Sequence, residues 1–180
     1  CATAILTKAL AEFGINAEKI VPEREDGYGL NVSLVDEVRK NRPINLLITV
    51  DCGISDAEKI EELKKRGIDV IVTDHHEPPE ILPDCVRIDP KIAGQEYPFN
   101  GLCGAGVAYK LSRALIGEKA DDYLDLAALA TVADSMDLIE ENRSIVAEGL
   151  KLINAPRPRA VFKNLLGDNK KATAQTLAFQ

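Results

Sequence analysis

The sequence predicts an α/β fold, with a mostly parallel sheet flanked by helices and followed by a helical portion. Residues 46–50 (LLITV) and 70–73 (VIVT) are short, unbroken apolar runs rich in Ile, Val and Thr. Such runs are typical of strands buried on both faces of a parallel sheet. Between them, Ser55–Gly67 has the spacing of an amphipathic helix with a capping box and a terminal glycine. A strand, helix and strand joined this way lie with both strands parallel.

Length and composition favour one domain over residues 1–180, with an α/β part at about 1–100 and a helical part at about 101–180. The chain is 46% hydrophobic and 28% charged, which argues against disorder. Its formal net charge of -7 at pH 7 argues against a general polyanion-binding surface, because such surfaces are usually basic. A phosphate-ester ligand would therefore need bound cations beside the acidic groups.

The four cysteines show neither CxxC spacing nor the density of a disulfide scaffold, so we expect free thiols and a cytoplasmic location. No apolar run approaches the about 20 residues that span a bilayer, and we expect no membrane association. The sequence begins at Cys1 within one helical pattern and ends at Gln180 within another. We therefore expect it to be part of a longer protein.

The elements of the α/β part follow in order. Residues 1–14 have a helical pattern that ends at a glycine, and residues 15–21 are a strand candidate. The next loop carries Arg24 and two glycines and could line the functional edge of the sheet or be a plain surface turn. Residues 33–41 form a predicted helix capped by Asn31 or Ser33, and residues 85–90 a short strand ending on an acid and a proline.

From Gly104 onward the pattern is helical, at residues 107–117, 121–134, 144–154 and 159–167, with a last helix starting near residue 173. The second of these helices is apolar almost all round and ends on Asp134. A surface acid just past a helix end is the plain interpretation of Asp134. Residues 156–159 (PRPR) predict a proline-stiffened joint whose two arginines lie in solvent.

Acids and imidazoles follow the two central strands. Asp51 comes after the first strand, and Asp74, His75 and His76 after the second, and these are the only two histidines of the chain. Because parallel strands end at one edge of a sheet, we expect these side chains to converge. Carboxylates with imidazoles suit manganese, zinc or magnesium, and two ions about 4 Å apart support phosphoester hydrolysis. The alternative is a chance set of polar residues that cap helices or face solvent.

Several motifs resemble one known family. Residues 72–79 (VTDHHEPP) resemble the signature of the DHH phosphoesterase superfamily. The segments ITVDCGI, NGLCGAGVAYKL, ALATVADSMDL, PEREDGYGLN and TAQTLAFQ resemble motifs of its RecJ branch, the single-strand-specific exonucleases. The resemblance covers nearly the whole chain, in the right order. It implies a metal-dependent phosphodiesterase that uses two divalent cations, Mn²⁺ or Mg²⁺, and water to degrade single-stranded DNA from the 5′ end in repair and recombination.

The resemblance also implies roles for individual residues. Asp51 would bridge the two metals, and His75 and Asp134 would bind the second metal. Asp74 would ligate or, as we favour, orient its neighbours, and His76 would stabilise charge that develops on the scissile phosphate. The residues implied at the substrate are Arg24, Gly104 and Gly106, and the alternative for the two glycines is that they cap the helix that follows.

One family motif is missing from the chain. In the family an Asp-x-Asp pair precedes a helix such as residues 1–10, so we expect this chain to bind metal weakly and cleave slowly. The expected partners are single-stranded DNA and replication or repair proteins. Two alternatives stay open: a DHH enzyme for short oligonucleotides or cyclic dinucleotides, and a non-catalytic DHH scaffold of a replication complex. The scaffold is disfavoured because such proteins lose the motif acids and histidines, which are all present here.

Overall fold

The computed structural model describes residues 1–23, 27–94, 97–167 and 171–178. It divides into two compact units: the α/β unit, Ala17–Asn100, and the helical unit, Cys1–Asn16 with Gly101–Gln180. The predicted fold class is confirmed, since the α/β unit contains a three-stranded parallel sheet with helices. The first helix belongs to the helical unit, whereas the sequence placed it in the α/β part.

In chain order the described elements are α1 (Ala2–Glu12), α2 (Val32–Asn41), β1 (Leu46–Val50), α3 (Ala57–Lys65), β2 (Asp69–Thr73), β3 (Val86–Ile88), α4 (Gly104–Ile116), a 3₁₀ segment (Gly117–Tyr123), α5 (Leu124–Ala133), α6 (Glu140–Ile153), α7 (Ala160–Leu166) and α8 (Ala174–Ala178). Among the described residues, no helix is both long enough and apolar enough to cross a membrane. All four cysteines are free thiols, as predicted.

The sheet has the order β1-β2-β3, and both strand pairs are parallel. Thr73 of β2 pairs with Val50 on one side and Ile88 on the other. The ladder continues past the strand ends. The Asp51 N–H donates to the Thr73 carbonyl at 2.9 Å, and the Asp74 N–H donates to the Ile88 carbonyl at 3.0 Å. The residues that directly follow the three strands therefore form a row at the carboxyl edge: Asp51, Asp74 and Asp89.

The core of the α/β unit lies between the sheet and its helices. Ile60 and Leu63 of α3 are fully buried, as their spacing predicted, and pack with Val72 of β2. Burying one such side chain stabilises the fold by about 1.5–3 kcal/mol. This packing fixes the strands, and with them the positions of the residues that follow each strand.

Two local predictions for the α/β unit are wrong. Residues 15–23 contain no strand, and Val21 is 71% exposed, so this segment lacks the two buried faces of a central strand. The N-cap of α3 is Asp56, not Ser55. The Asp56 carboxylate accepts the Leu30 N–H at 2.8 Å and pairs with Lys59 at 2.8 Å, so a contact with a distant loop replaces the capping box. By contrast, Asn31, one of the two predicted candidates, caps α2.

In the helical unit, α1 packs on α4 and α5 packs on α6. Gly149 lets α6 approach α5, because a Cβ there would lie 2.3 Å from the Ala128 Cβ. The expectation that both arginines of residues 156–159 lie in solvent is wrong for Arg159. Its Nε donates to the buried Asp125 carboxylate at 2.6 Å, and its guanidinium lies 5.6 Å from the ring centre of Tyr123.

Candidate metal centre

A tight turn after β1 holds Asp51 at the sheet edge. Asp51 adopts a left-handed backbone conformation with φ +67°, which aspartate tolerates better than most residues. Gly53 has φ +107°, and a Cβ there would lie 2.7 Å from the Thr49 hydroxyl oxygen. That hydroxyl donates to the Cys52 carbonyl at 2.7 Å. These contacts fix the turn against the end of β1, and the Asp51 side chain is 48% exposed.

Asp74 is the buried anchor of the site, with 1% of its surface exposed. Its Oδ2 accepts the Ile54 N–H at 3.0 Å, and its Oδ1 accepts the His75 N–H at 2.8 Å. Oδ1 also lies 2.7 Å from Nδ1 of His76. Burial opposes ionisation, but hydrogen bonds from Ile54, His76 and His75 together hold the pKa of Asp74 below its usual value. Asp74 is therefore an ionised carboxylate whose two oxygens are both engaged by the protein.

His75 is buried and faces Asp51. Its Nε2 lies 3.2 Å from Oδ1 of Asp51, and its Nδ1, on the opposite side of the ring, is buried. The rings of His75 and His76 are tilted by 50° with centroids 4.5 Å apart. The two neighbouring imidazoles thus occupy different environments, one enclosed and one open.

His76 is the open imidazole, with 59% of its side chain exposed. Because Nδ1 is held by Asp74, the other ring nitrogen, Nε2, is the one left to contact a ligand. The carboxylate orients the ring. Asp74 and His76 therefore form a hydrogen-bonded pair at the edge of the sheet.

Asp51, His75 and His76 each offer one ligand atom, and these atoms lie within 4.8 Å of one another. One carboxylate oxygen and two imidazole nitrogens are a donor set that suits Mn²⁺ or Zn²⁺ and that tolerates Mg²⁺. The residues present therefore fit a divalent cation. The structure brings together Asp51 and His75 as the sequence predicted, with Asp74 in a supporting position. Their catalytic and metal-binding roles stay predictions.

The other predicted site residues lie elsewhere in the chain. Asp134 is the exposed C-cap residue of α5 in the helical unit, and its role at the metal stays a prediction. Gly104 and Gly106 are buried in the first turn of α4, where the Gly106 N–H donates to the Cys103 sulfur at 3.4 Å. Helix capping and packing account for this arrangement, and substrate binding by the two glycines stays a prediction. Arg24 lies outside the described residues.

Cys52 lies beside Asp51 and could be mistaken for a nucleophile. Burial, together with the nearby Asp74 charge, raises the pKa of the Cys52 thiol to about 11. A reactive cysteine needs the opposite shift, because only the thiolate attacks. Cys52 is therefore a packing residue.

Sequence reasoning missed one residue of this edge. Asp89 follows β3, is 1% exposed and accepts the Lys91 N–H on Oδ1 at 2.9 Å. Burial raises the pKa of this carboxyl, and the neighbouring Asp74 charge raises it further. The available signal was the pattern itself, because all three strands end on an aspartate.

The sequence and the fold match one family. A family model described as "DHH family, N-terminal domain" matches residues 1–131, so the chain belongs to the DHH family. This confirms the resemblance seen in the sequence.

Within the family, the chain is similar to RecJ proteins. The single-stranded-DNA-specific exonuclease RecJ of Bacillus subtilis (strain 168) is 40% identical over 184 residues, which cover 99% of this chain and 23% of that protein. RecJ of Escherichia coli (strain K12) is 37% identical over 199 residues, covering 98% and 34%. The chain thus spans about a quarter to a third of these relatives.

Solved structures give the same result. A crystal structure of exonuclease RecJ bound to manganese aligns with a TM-score of 0.83 and 34% identity, covering 99% of this chain and 46% of that one. RecJ from Thermus thermophilus in complex with Mn²⁺ aligns with a TM-score of 0.79 and 33% identity, covering 99% and 26%.

Proposed function

We propose that this chain forms the metal-binding catalytic part of a divalent-metal-dependent exonuclease that hydrolyses single-stranded DNA from the 5′ end. The observation that carries the proposal is the convergence of Asp51, His75 and His76 at the carboxyl edge of the sheet. It is supported by the similarity of nearly the whole chain to single-strand-specific exonucleases and to a manganese-bound relative.

In the proposed site, Asp51 and His75 hold the cation. The motif resemblance implies the Asp134 carboxylate as a further ligand, and that role stays a prediction. Asp51 is suited to bridging because its carboxylate is half exposed at the end of a rigid turn. His75 is suited to ligation because its ring is enclosed and presents Nε2 toward Asp51. Bound Mn²⁺ or Mg²⁺, two ions in the proposal, would offset phosphate charge and activate water.

His76 is proposed to act on the substrate. Its Nδ1 is fixed by the Asp74 carboxylate, so Nε2 has one defined direction and one available proton when the ring is charged. Donation from Nε2 to a phosphate oxygen would stabilise the charge that develops during hydrolysis. Asp74 would act through His76 and through the Ile54 turn, without contacting substrate.

Because the chain is acidic, it needs these cations to bind a polyanion such as a DNA strand. With a formal net charge of -7, favourable contact with a DNA strand depends on local positive charge, which bound metal supplies. The proposed substrate is therefore held chiefly at the metal centre. Replication or repair proteins as partners, and a cytoplasmic location, stay predictions.

The test pairs metal binding with strand cleavage. Mn²⁺ affinity is measured by titration calorimetry, and cleavage on single strands labelled at the 5′ or 3′ end, with and without Mn²⁺. We expect Mn²⁺-dependent release of nucleotides from the 5′ end, at a low rate if the first metal lacks carboxylates. Asp51→Asn should abolish both signals. Asp69→Asn, at the opposite end of β2 and exposed, is the matched control and should change neither.

Competing substrates separate the alternatives. Short oligonucleotides and cyclic dinucleotides are offered in the same assay. Faster turnover of these would identify a small-substrate phosphodiesterase and overturn the exonuclease proposal. Wild-type protein that neither binds Mn²⁺ nor cleaves any of these substrates would support the scaffold alternative.

A further inference from the structure

The turn that follows α5 carries Asp134 and has little packing of its own. Residues 133–135 and 137–140 are exposed, and only Met136 between them is half-buried. Ser135 and Glu140 adopt left-handed backbone conformations with φ of +56° and +42°, which are unfavourable for residues other than glycine. Such a segment keeps one conformation only if contacts from outside the turn hold it.

Asn142, in the first turn of α6, supplies such contacts. Its side chain is 0% exposed, and its Nδ2 donates to the Asp137 carbonyl at 3.0 Å and to the Gly101 carbonyl at 2.7 Å. Because both acceptors are carbonyl oxygens, the NH₂ group and not the amide oxygen must face them. Asn142 thus uses both side-chain N–H bonds to join the turn after α5 to the segment that enters α4.

The oxygen of the same amide shows what this position requires. Asn142 Oδ1 is buried and accepts no hydrogen bond from the described residues. A buried acceptor in this state is unfavourable, and a leucine of similar volume would avoid that cost. Packing alone would therefore favour an apolar residue, and what an asparagine adds here is the pair of donated hydrogen bonds.

The segment that enters α4 is itself firmly held. Leu102 and Cys103 are each 2% exposed, and Cys103 is the N-cap residue of α4. The Cys103 sulfur lies 3.5 Å from the Thr131 hydroxyl oxygen of α5. The Thr131 carbonyl accepts the Met136 N–H at 3.1 Å, so the turn is linked to this segment on a second path. The segment is therefore a rigid support against which Asn142 can hold the turn.

We propose that Asn142 is a positioning residue: its two N–H···O bonds hold the turn at 134–137 against the segment that enters α4, and so fix the place from which the Asp134 carboxylate is presented. The inference rests on the proposed function, in which Asp134 is implied as a ligand of the cation. Asn142 contacts neither cation nor substrate in this arrangement and acts through the backbone of the turn.

The test compares two asparagines of the same helix. Asn154, at the C-terminal end of α6, also donates Nδ2 to two carbonyls, those of Leu150 at 2.8 Å and Ala172 at 3.0 Å. Asn154→Leu is therefore the matched control for Asn142→Leu, because each variant removes one pair of N–H donors. Amide hydrogen exchange in metal-free protein is measured by NMR at Met136, in the turn after α5, and at Ala172, whose N–H donates to Asn154.

Asn142→Leu should speed exchange of the Met136 N–H about 10- to 30-fold and leave Ala172 unchanged, because two hydrogen bonds to the first region are lost. Asn154→Leu should have the opposite pattern. Mn²⁺ affinity, measured by titration calorimetry, should fall about 10-fold in Asn142→Leu, because Asp134 is then in place for only part of the time. It should keep the wild-type value in Asn154→Leu.

Thermal unfolding verifies that each variant is folded. Asn142→Ser keeps one donor, so it should give smaller changes of the same sign, and it takes the place of Asn142→Leu if that variant does not fold.

Unchanged exchange at Met136 in Asn142→Leu would overturn the proposal. Faster exchange with unchanged Mn²⁺ affinity would also overturn it, because the turn would then have no bearing on the cation. An equal fall in affinity in Asn154→Leu would do the same, since lost stability alone would explain both variants. Wild-type protein that fails to bind Mn²⁺ would refute the proposed function, whereas the exchange rates would still decide whether Asn142 holds the turn.

Discussion

Asp74→Asn should be one of the most destabilising conservative substitutions in the α/β unit. The carboxylate accepts the N–H groups of Ile54 and His75 and contacts Nδ1 of His76. An amide has one acceptor oxygen, so its NH₂ group must face either the Ile54 N–H or the groups at the other oxygen, which are the N–H groups of His75 and His76 and the His76 Nδ1. Each lost hydrogen bond to a buried charge is worth about 1.5–3 kcal/mol. We therefore expect the free energy of unfolding to fall by about 2–4 kcal/mol.

Urea unfolding followed by circular dichroism measures this change, with an unchanged denaturant slope. The matched control is Asp84→Asn, because Asp84 has the same side chain, is exposed and pairs with Lys64 at the surface. The control should change stability little. If Asp74→Asn were as mild as the control, the hydrogen bonds assigned to the buried carboxylate would contribute nothing, and the reasoning would fail.

The same substitution has a pH signature whose sign follows from the lowered pKa of Asp74. A carboxyl whose folded pKa is depressed stabilises the protein above its unfolded pKa of about 3.9. That contribution is lost as pH falls through the folded pKa. Unfolding free energies measured between about pH 6 and pH 2 should therefore decline less steeply in Asp74→Asn than in the wild type. If the free energy of unfolding fell equally steeply with pH in the variant and in the wild type, the lowered pKa assigned to Asp74 would be contradicted.

Three further predictions concern other residues. Iodoacetamide at about pH 8 should modify the exposed Cys1 long before Cys52, because the pKa of the Cys52 thiol is raised to about 11. Mass spectrometry of timed samples measures the order of modification, and the reverse order would refute the assignment. Gly149→Ala should lower the urea midpoint by an amount worth about 1–3 kcal/mol through overpacking against α5, whereas Ser144→Ala on the exposed face of α6 should not; equal midpoints would be inconsistent with the close helix contact. His76→Ala should reduce turnover far more than Mn²⁺ affinity, and equal losses in rate assays and calorimetry would mean that His76 is mainly a ligand.

The features predicted correctly from sequence are those fixed by local pattern. β1, α3 and β2 are adjacent in the chain, and their periodicity alone determines a parallel pair whose ends meet. The convergence of Asp51 and His75 follows from that topology without knowledge of any other segment. The same holds for the Asn31 cap, which contacts only the two or three residues that follow it.

The features predicted wrongly depend on contacts between distant segments. Asp56 accepts an N–H 26 residues away, which no capping pattern encodes. Arg159 pairs with Asp125, 34 residues earlier, so a solvent assignment from the flanking prolines misses it. Residues 15–21 have strand-like composition, but a strand also needs a neighbour, and composition carries no information about that neighbour.

The three strand-end aspartates show how position differentiates one residue type. Asp51 lies half exposed on a left-handed turn, Asp74 is buried among donors that lower its pKa, and Asp89 is buried with one donor and a raised pKa. The differences follow from the number of N–H groups that each turn directs at the carboxylate, because donors favour the ionised form and burial opposes it. A single backbone register therefore provides an accessible carboxylate, a firmly ionised carboxylate and a more weakly satisfied acceptor. Such a graded set supports the proposal that this edge holds a cation beside two imidazoles in distinct orientations.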